Sequence, residues 1–173
     1  LGQNKAVSAA KSLHGLNAQV HVQTYSQFMD GAHLRQVLPD YDIVIDATDQ
    51  LENKFLINDV CVSAEKPFVH GGITGFSGQV MTYVPEKGPC YRCIFGEVPE
   101  DNAPAPIPVI GVTAGIIGTI QAAEAIRYLL GIPSLLTGKL LVLDGLRMQF
   151  RTVPFPHVSE HCPLHTRKGV TDL

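Results

Sequence analysis

Two pairs of residues carry metal-binding side chains at a spacing that suits a single ion. Cys90 and Cys93 lie in Cys-Tyr-Arg-Cys, and Cys162 and His165 lie in Cys-Pro-Leu-His. Two ligands separated by two residues can grip one tetrahedral Zn²⁺, and four protein ligands leave no open position for a substrate or an activated water. The pattern therefore predicts a structural zinc that ties the end of the chain to its middle.

The same residues have a second interpretation, in which one pair forms a disulfide and His165 is an ordinary surface residue. Zinc is favoured, because disulfides are scarce inside cells and cysteine pairs there more often hold a metal. The fourth cysteine, Cys61, lies in an apolar run between Val60 and Val62. We expect it to be a small buried hydrophobic residue.

A different kind of chemistry is suggested by Asp49, in the segment Asp46-Ala47-Thr48-Asp49-Gln50. This segment follows an apolar run typical of a strand buried in a parallel sheet, and it precedes a helical pattern. Ligands of open α/β sheets bind at the carboxyl ends of strands, where a carboxylate can hold Mg²⁺ against nucleotide phosphates. Asp49 could instead cap the following helix, and the motif taken alone favours that role.

The elements that must position these residues follow from hydrophobic periodicity and from glycine and proline breaks. Strands and helices alternate in the first half, which indicates a mostly parallel α/β sheet, and a later hairpin adds an antiparallel extension. The helix at 112–130 is so apolar that we expect it to be buried on most sides. The predicted helices span 4–14, 32–38, 50–64 and 112–130, and the predicted strands span 18–25, 41–46, 67–70, 79–84, 139–143 and 148–153.

Composition limits the class of protein. The chain has 173 residues, of which 45% are hydrophobic and 17% are charged, and these values fit one globular domain over residues 1–173. No run of about 18 apolar residues could span a membrane, and no signal peptide is visible. The net charge of −3 gives no electrostatic footprint for nucleic acid. We therefore expect a cytoplasmic protein with neither a membrane nor a nucleic-acid partner.

The order of the motifs resembles the MoeB/ThiF/HesA family, the bacterial relatives of ubiquitin-activating enzymes. The ordered series is Asp46-x-x-Asp49, Asn58, a glycine-rich turn from Gly71 to Gln79, the Cys90–Cys93 pair, and the run from Gly115 to Ala125. The resemblance extends through nearly all of the chain. It implies a Rossmann-like, ATP-binding adenylation domain with a structural zinc, which is usually a homodimer.

The resemblance also implies a reaction and its residues. Family members adenylate the C-terminal carboxylate of a ubiquitin-like or sulfur-carrier protein and release pyrophosphate. Lys5 matches a lysine that contacts ATP phosphates, Asp49 matches the catalytic aspartate associated with Mg²⁺ and the triphosphate, and Asn58 falls within the nucleotide-binding pattern. The four zinc ligands match the family's two pairs, although the last ligand is usually cysteine rather than His165.

Several positions depart from the family pattern. The family's glycine-rich phosphate loop precedes the position of Lys5 and is not in this sequence, so we expect an N-terminally incomplete domain that does not adenylate by itself. Gln50 occupies a position where the family usually has asparagine, and Lys54 lies near a position where the family usually has arginine. Relatives often carry a cysteine near Pro104 for a thioester or persulfide, so we expect adenylation without a covalent intermediate on this chain.

Two other functions are open at this point. One is adenylation of a small-molecule carboxylate, and the other is a non-catalytic, zinc-stabilised scaffold of the same fold. Residues 109–130 hold more apolar surface than one helix of a small domain readily buries. A homodimer is therefore expected, since obligate interfaces are large and apolar.

Overall fold

The computed structural model describes residues 2–98 and 108–165. Pro104, near which relatives often carry a cysteine, lies outside the described residues. The helices are α1 (Lys5–Leu16), α2 (Gly31–Val37), α3 (Leu51–Ser63), α4 (Tyr91–Phe95) and α5 (Gly111–Leu129), with a 3₁₀ turn at Leu38–Asp40. The strands are β1 (Val44–Asp46), β2 (Phe68–Thr74), β3 (Ser77–Tyr83), β4 (Lys139–Asp144) and β5 (Gln149–Pro154).

The strands form one five-stranded sheet in the order β1-β2-β3-β4-β5. The α/β class and the antiparallel extension are confirmed, but the balance differs from the expected mostly parallel sheet. Of the described pairings, β1 with β2 is parallel and the other three are antiparallel. The reason is local, because β2 and β3 are joined by the two-residue turn Gly75-Phe76, and so short a connection can only join antiparallel strands.

Side chains of the central strands alternate between the two faces of the sheet. Phe68 and Met81 pack with Phe55 of α3 in one core cluster, while Val69 and Val80 pack with Ile117 of α5 in the other. Two glycines let α5 approach closely: a Cβ on Gly71 would lie 2.3 Å from the Gln121 side chain, and one on Gly78 would lie 2.5 Å from Ile117. The sheet is therefore covered by α3 on one face and by α5 on the other.

Two expected elements are wrong. Residues 18–25 form no strand, because no described strand pairs with them and Val20 is exposed. Helix α5 is not buried on most sides, since Thr113, Ile117, Gln121, Glu124 and Ala125 form one buried face. Its opposite side carries exposed apolar residues, among them Val112, Ile126 and Leu129. Among the described residues, no helix is long and apolar enough to cross a membrane.

Candidate functional site

The predicted metal ligands meet at one point. The Cys90 Sγ atom lies 3.7 Å from the Cys93 Sγ and 3.7 Å from the Cys162 Sγ, and no disulfide is formed. The ligand atoms of these cysteines and of His165 all lie within 4.8 Å of one another. A tetrahedron with Zn–S bonds of about 2.3 Å has edges of about 3.8 Å, so the sulfur spacing fits a metal and is too long for a disulfide.

The histidine supports the same interpretation. The His165 Nε2 atom is buried and has no hydrogen-bond partner in the described part of the chain. A buried polar atom without a partner is costly, and a metal bond would satisfy it. Hydrogen bonding with the Cys90 thiol, opposed by burial, lowers the pKa of the Cys93 thiol to about 5. The cluster can therefore hold a metal ion, as its residue types and spacing predicted.

Cys61 is buried, as expected, and does not belong to this cluster. Burial raises the pKa of its thiol to about 12. A thiol of that pKa is protonated at neutral pH and is a poor nucleophile. The expectation that no covalent intermediate forms on this chain stays a prediction, and the Cys61 environment is consistent with it.

A buried polar network, which no pattern in the sequence predicted, lies at the carboxyl end of β1. The Asp46 carboxylate accepts hydrogen bonds from the Thr48 backbone N–H at 3.0 Å and the Thr48 hydroxyl at 2.7 Å. The His70 Nδ1 lies 2.9 Å from Asp46 Oδ2, and the Lys54 ammonium lies 3.4 Å from the same oxygen. Lys54 also donates to the Gly71 carbonyl at 2.8 Å.

The charges of this network are held away from water. Asp46 is 1% exposed, His70 is 0% exposed and Lys54 is 8% exposed. Burial works against ionisation of Asp46, but the His70 hydrogen bond, the Lys54 charge and the Thr48 hydroxyl outweigh it and lower the pKa of Asp46 to about 2. Burial lowers the pKa of both His70 and Lys54, while Asp46 opposes that shift. The result is a charged Asp46–Lys54 pair beside a neutral imidazole.

Asp46 and His70 come together through the register of the sheet. The two residues are direct neighbours on parallel strands β1 and β2, so their side chains lie on the same face. The His70 ring also contacts the Tyr91 ring at 4.6 Å between centroids, and Tyr91 lies between the first two metal ligands. The sequence signal for this contact is a polar residue in each of two apolar strands, Asp46 and His70. That signal does not show that the two residues are partners.

Asp49 lies three residues beyond Asp46 and has the opposite environment. It is exposed, at the point where β1 has ended and α3 is about to begin. The N-cap residue of α3 is Gln50, which makes no capping hydrogen bond with its side chain. The Asp49 carboxylate accepts no hydrogen bond that the structure describes, although its negative charge acts to raise the pKa of Lys54. The capping role is therefore not observed, and the carboxylate is open to solvent.

The remaining predicted nucleotide residues do not gather around Asp49. Lys5 is exposed at the first position of α1, a helix that buries none of its residues and is capped by Asn4. Asn58 is 0% exposed, and its side-chain oxygen accepts the Tyr91 backbone N–H at 2.8 Å. Its contacts thus lie at the Cys90–Cys93 pair. Nucleotide binding by Lys5 and Asn58 stays a prediction.

Comparison with known proteins adds evidence on ancestry. The chain is 40% identical over 179 residues to the SAMP-activating enzyme E1 of Haloferax volcanii, a match that covers 100% of the chain and 64% of that protein. It is 38% identical over 172 residues to the sulfur carrier protein adenylyltransferase of Thermus thermophilus, covering 95% of the chain and 63% of that protein. The chain thus spans less than two thirds of either relative.

A solved structure of E. coli MccB with ATP superposes with a TM-score of 0.80, at 21% identity, over 95% of this chain and 51% of that one. At this identity the match shows that the fold is shared. A model of the ThiF family matches residues 1–164, which include the β1 end, the buried network and three of the four metal ligands. The chain belongs to the ThiF family.

Proposed function

We propose that the protein takes part in ATP-dependent adenylation of the C-terminal carboxylate of a ubiquitin-like or sulfur-carrier protein, with release of pyrophosphate. The observation that carries the proposal is the solvent-facing Asp49 carboxylate beyond the carboxyl end of β1, which makes no helix-capping hydrogen bond in the described structure. Family membership and relatives named as carrier-protein adenylyltransferases support the choice of reaction.

Asp49 is the residue that we expect to hold Mg²⁺, because it presents a solvent-facing carboxylate at the strand end where phosphates bind in this fold class. Lys5 carries an exposed ammonium that can neutralise a phosphate oxygen. Mg²⁺ bound with ATP would supply charge neutralisation at the α-phosphate during attack by a carboxylate. The buried Asp46–Lys54 pair keeps its charges inside and fixes the turn from which Asp49 projects.

A structural Zn²⁺ in the Cys90, Cys93, Cys162 and His165 cluster is part of the proposal. The cluster offers three thiols and one imidazole nitrogen at tetrahedral spacing. Sulfur and nitrogen donors of this kind bind Zn²⁺ in preference to Mg²⁺, which binds oxygen ligands. The four side chains fill the coordination of the ion, so its role would be to stabilise the fold. Elemental analysis of the purified protein should give about one zinc per chain.

The quaternary proposal is a homodimer formed through the uncovered side of α5. Val112 is 72% exposed and Leu129 is 57% exposed, and such a surface on a helix of 19 residues is rarely left in water. Light scattering at tens of micromolar should give twice the monomer mass. Replacing Val112 and Leu129 by glutamate should produce monomers, and the same two replacements at Val7 and Leu13 of α1 serve as the control.

The reaction is tested by ATP–pyrophosphate exchange with the whole gene product and candidate carrier proteins. Exchange that requires a carrier with its free C-terminal carboxylate supports the proposal, and a carrier with an amidated C-terminus is the matched control. Exchange driven instead by small carboxylates would replace the proposed substrate. No exchange with any carboxylate, in a protein that folds and binds zinc, would leave the scaffold role.

A further inference from the structure

The two halves of the metal cluster are held by different parts of the molecule. The Cys90–Cys93 half begins α4 and packs against the core, where Cys90 is 0% exposed. The Cys162–His165 half lies in the segment after β5, where the described backbone bonds are local, from Cys162 N–H to the Ser159 carbonyl and from His165 N–H to the Cys162 carbonyl. Cys162 packs in the same core cluster as Phe55 and Val60 of α3. Among the described residues, however, the side-chain hydrogen bonds that α3 makes to the two halves go to the first half.

Asn58 of α3 makes that attachment. Its Oδ1 accepts the Tyr91 backbone N–H at 2.8 Å, and its Nδ2 donates to Asp59 Oδ1 at 3.0 Å. Tyr91 is the first residue of α4, so its N–H has no partner within that helix. Asn58 is fully buried, and removal of its amide would leave the Tyr91 N–H buried without this acceptor.

The next residue of α3 braces the same turn. Both Asp59 carboxylate oxygens accept hydrogen bonds from the Arg92 guanidinium, at 2.6 Å and 2.7 Å. The guanidinium also lies over the Phe55 ring, 4.7 Å from its centroid. Tyr91 and Arg92 are the two residues between the metal-binding cysteines. Each is therefore fixed from α3 by a contact that requires no metal.

The second half joins the first through apolar packing of Cys162 and Leu164 and through contacts of the sulfur atoms. Cys162 Sγ lies 3.7 Å from Cys90 Sγ, and the Ser159 backbone N–H donates to the Cys93 sulfur. The His165 Nε2 atom, buried without a partner, points to the same need for an ion. An ion bound to the first two cysteines would also bind this nitrogen and so strengthen the attachment of the second half.

We propose that Asn58 is a positioning residue of the metal site: it preforms the Cys90–Cys93 half on α3, and the bound ion then stabilises the packing of residues 156–165 against that half. The inference rests on the assignment of the cluster to a metal and is independent of the adenylation reaction. It gives Asn58 a role at the metal site, beside the nucleotide role that is expected from the sequence. Loss of such an outer partner typically costs about 10–100-fold in metal affinity.

The first experiment is chelator competition for zinc. Asn58→Ala should weaken zinc binding by about 10–100-fold. Asn53→Ala is the matched control, because Asn53 lies on the same helix and donates to the Gln50 side chain instead. Val80→Ala, in the core cluster beside α5, is a control for general loss of stability. Equal zinc affinity in Asn58→Ala and Val80→Ala at matched stability would overturn the proposal, as would a wild-type protein that binds no zinc.

The second experiment locates the effect by hydrogen exchange. Removal of zinc from the wild-type protein should expose amides in residues 156–165 while the Tyr91 amide stays protected. In Asn58→Ala the Tyr91 amide should exchange faster even with zinc bound. If Asn58→Ala does not fold, Asp59→Ala removes the half-buried ion pair with Arg92 and should also weaken zinc binding. Loss of protection at Tyr91 and in residues 156–165 together on zinc removal would contradict a preformed half.

Discussion

Asp46 and Asp49 are the same residue type three positions apart, and the fold gives them opposite environments. Asp46 ends β1 facing the interior, where His70, Lys54 and Thr48 surround its carboxylate. Asp49 follows after the chain has left the sheet, and its carboxylate faces solvent. The difference separates two tasks: a buried carboxylate that fixes the turn, and an open one that is available to a ligand.

The contrast also shows what a buried charge costs. A buried ion pair is weak evidence for stability, because desolvation offsets much of the attraction, but removal of one partner leaves an unpaired charge in the interior. Asp46 has such a partner in Lys54, and its neighbour His70 is fully buried. The Asp49 carboxylate is exposed, so its removal leaves no unpaired charge in the interior. Substitutions at the two positions should therefore affect different measurements.

The largest expected effect is on activity at Asp49. Asp49→Ala should reduce ATP–pyrophosphate exchange by about two to three orders of magnitude, since it removes a group that neutralises developing charge. Its melting temperature should hardly change. Asp42→Ala is the matched control, because Asp42 is also exposed but precedes β1 at the amino end of the strand. Full activity in Asp49→Ala would show that the carboxylate does not serve the nucleotide.

The next effect is on stability at Asp46. Asp46→Ala should lower the free energy of unfolding by about 3–5 kcal/mol, because it leaves the Lys54 ammonium and the His70 imidazole buried without their partner. Denaturant unfolding measures this loss. Asp49→Ala, measured in the same way, should stay within about 0.5 kcal/mol of the wild-type protein. Equal losses of unfolding free energy in Asp46→Ala and Asp49→Ala would contradict the different roles assigned to the two carboxylates.

A smaller effect should appear with pH. The pKa of Asp46 is lowered from 3.8 to about 2, so its contribution is complete above pH 3.8 and is lost as pH falls through about 2. That shift corresponds to about 2 kcal/mol. The lowered pKa of His70 acts in the same direction but begins at higher pH, since the unfolded state gains a proton below about 6.5. Unfolding curves in Asp46→Asn should lack the most acidic loss, and an unchanged acid profile would contradict this assignment.

The smallest effect concerns the residue between the two aspartates. The Thr48 hydroxyl donates to Asp46 Oδ1 at 2.7 Å, and Thr48→Val removes this bond while it keeps the branched shape. The loss should be on the order of 1.5 kcal/mol in the free energy of unfolding, since the acceptor is charged. Exchange activity should fall less than in Asp49→Ala. A loss of activity as large as that of Asp49→Ala would mean that the turn, rather than the Asp49 carboxylate, limits the reaction.

Residue type and spacing alone identified four candidate metal ligands, because two pairs of cysteine or histidine separated by two residues suit one tetrahedral ion, and the structure brings all four together. The sequence also determined the elements with strong periodicity: α3, α5 and the β4–β5 hairpin lie close to their predicted bounds. Segment 18–25 alternates like a strand yet pairs with no described neighbour. Alternation reports a local preference, and a strand needs a partner to satisfy its backbone.

The partners and the burial of the polar residues depend on tertiary contacts. Asp46 meets His70 only because β1 and β2 pair in parallel with that register, and Asn58 meets Tyr91 only because α3 packs beside the start of α4. These contacts join residues that are distant in the chain, so no local pattern contains them. Which side of α5 is buried was likewise set by Gly71 and Gly78, which allow close packing on the sheet. Residue type and spacing identify a ligand, whereas burial and partners depend on which surfaces the fold brings into contact.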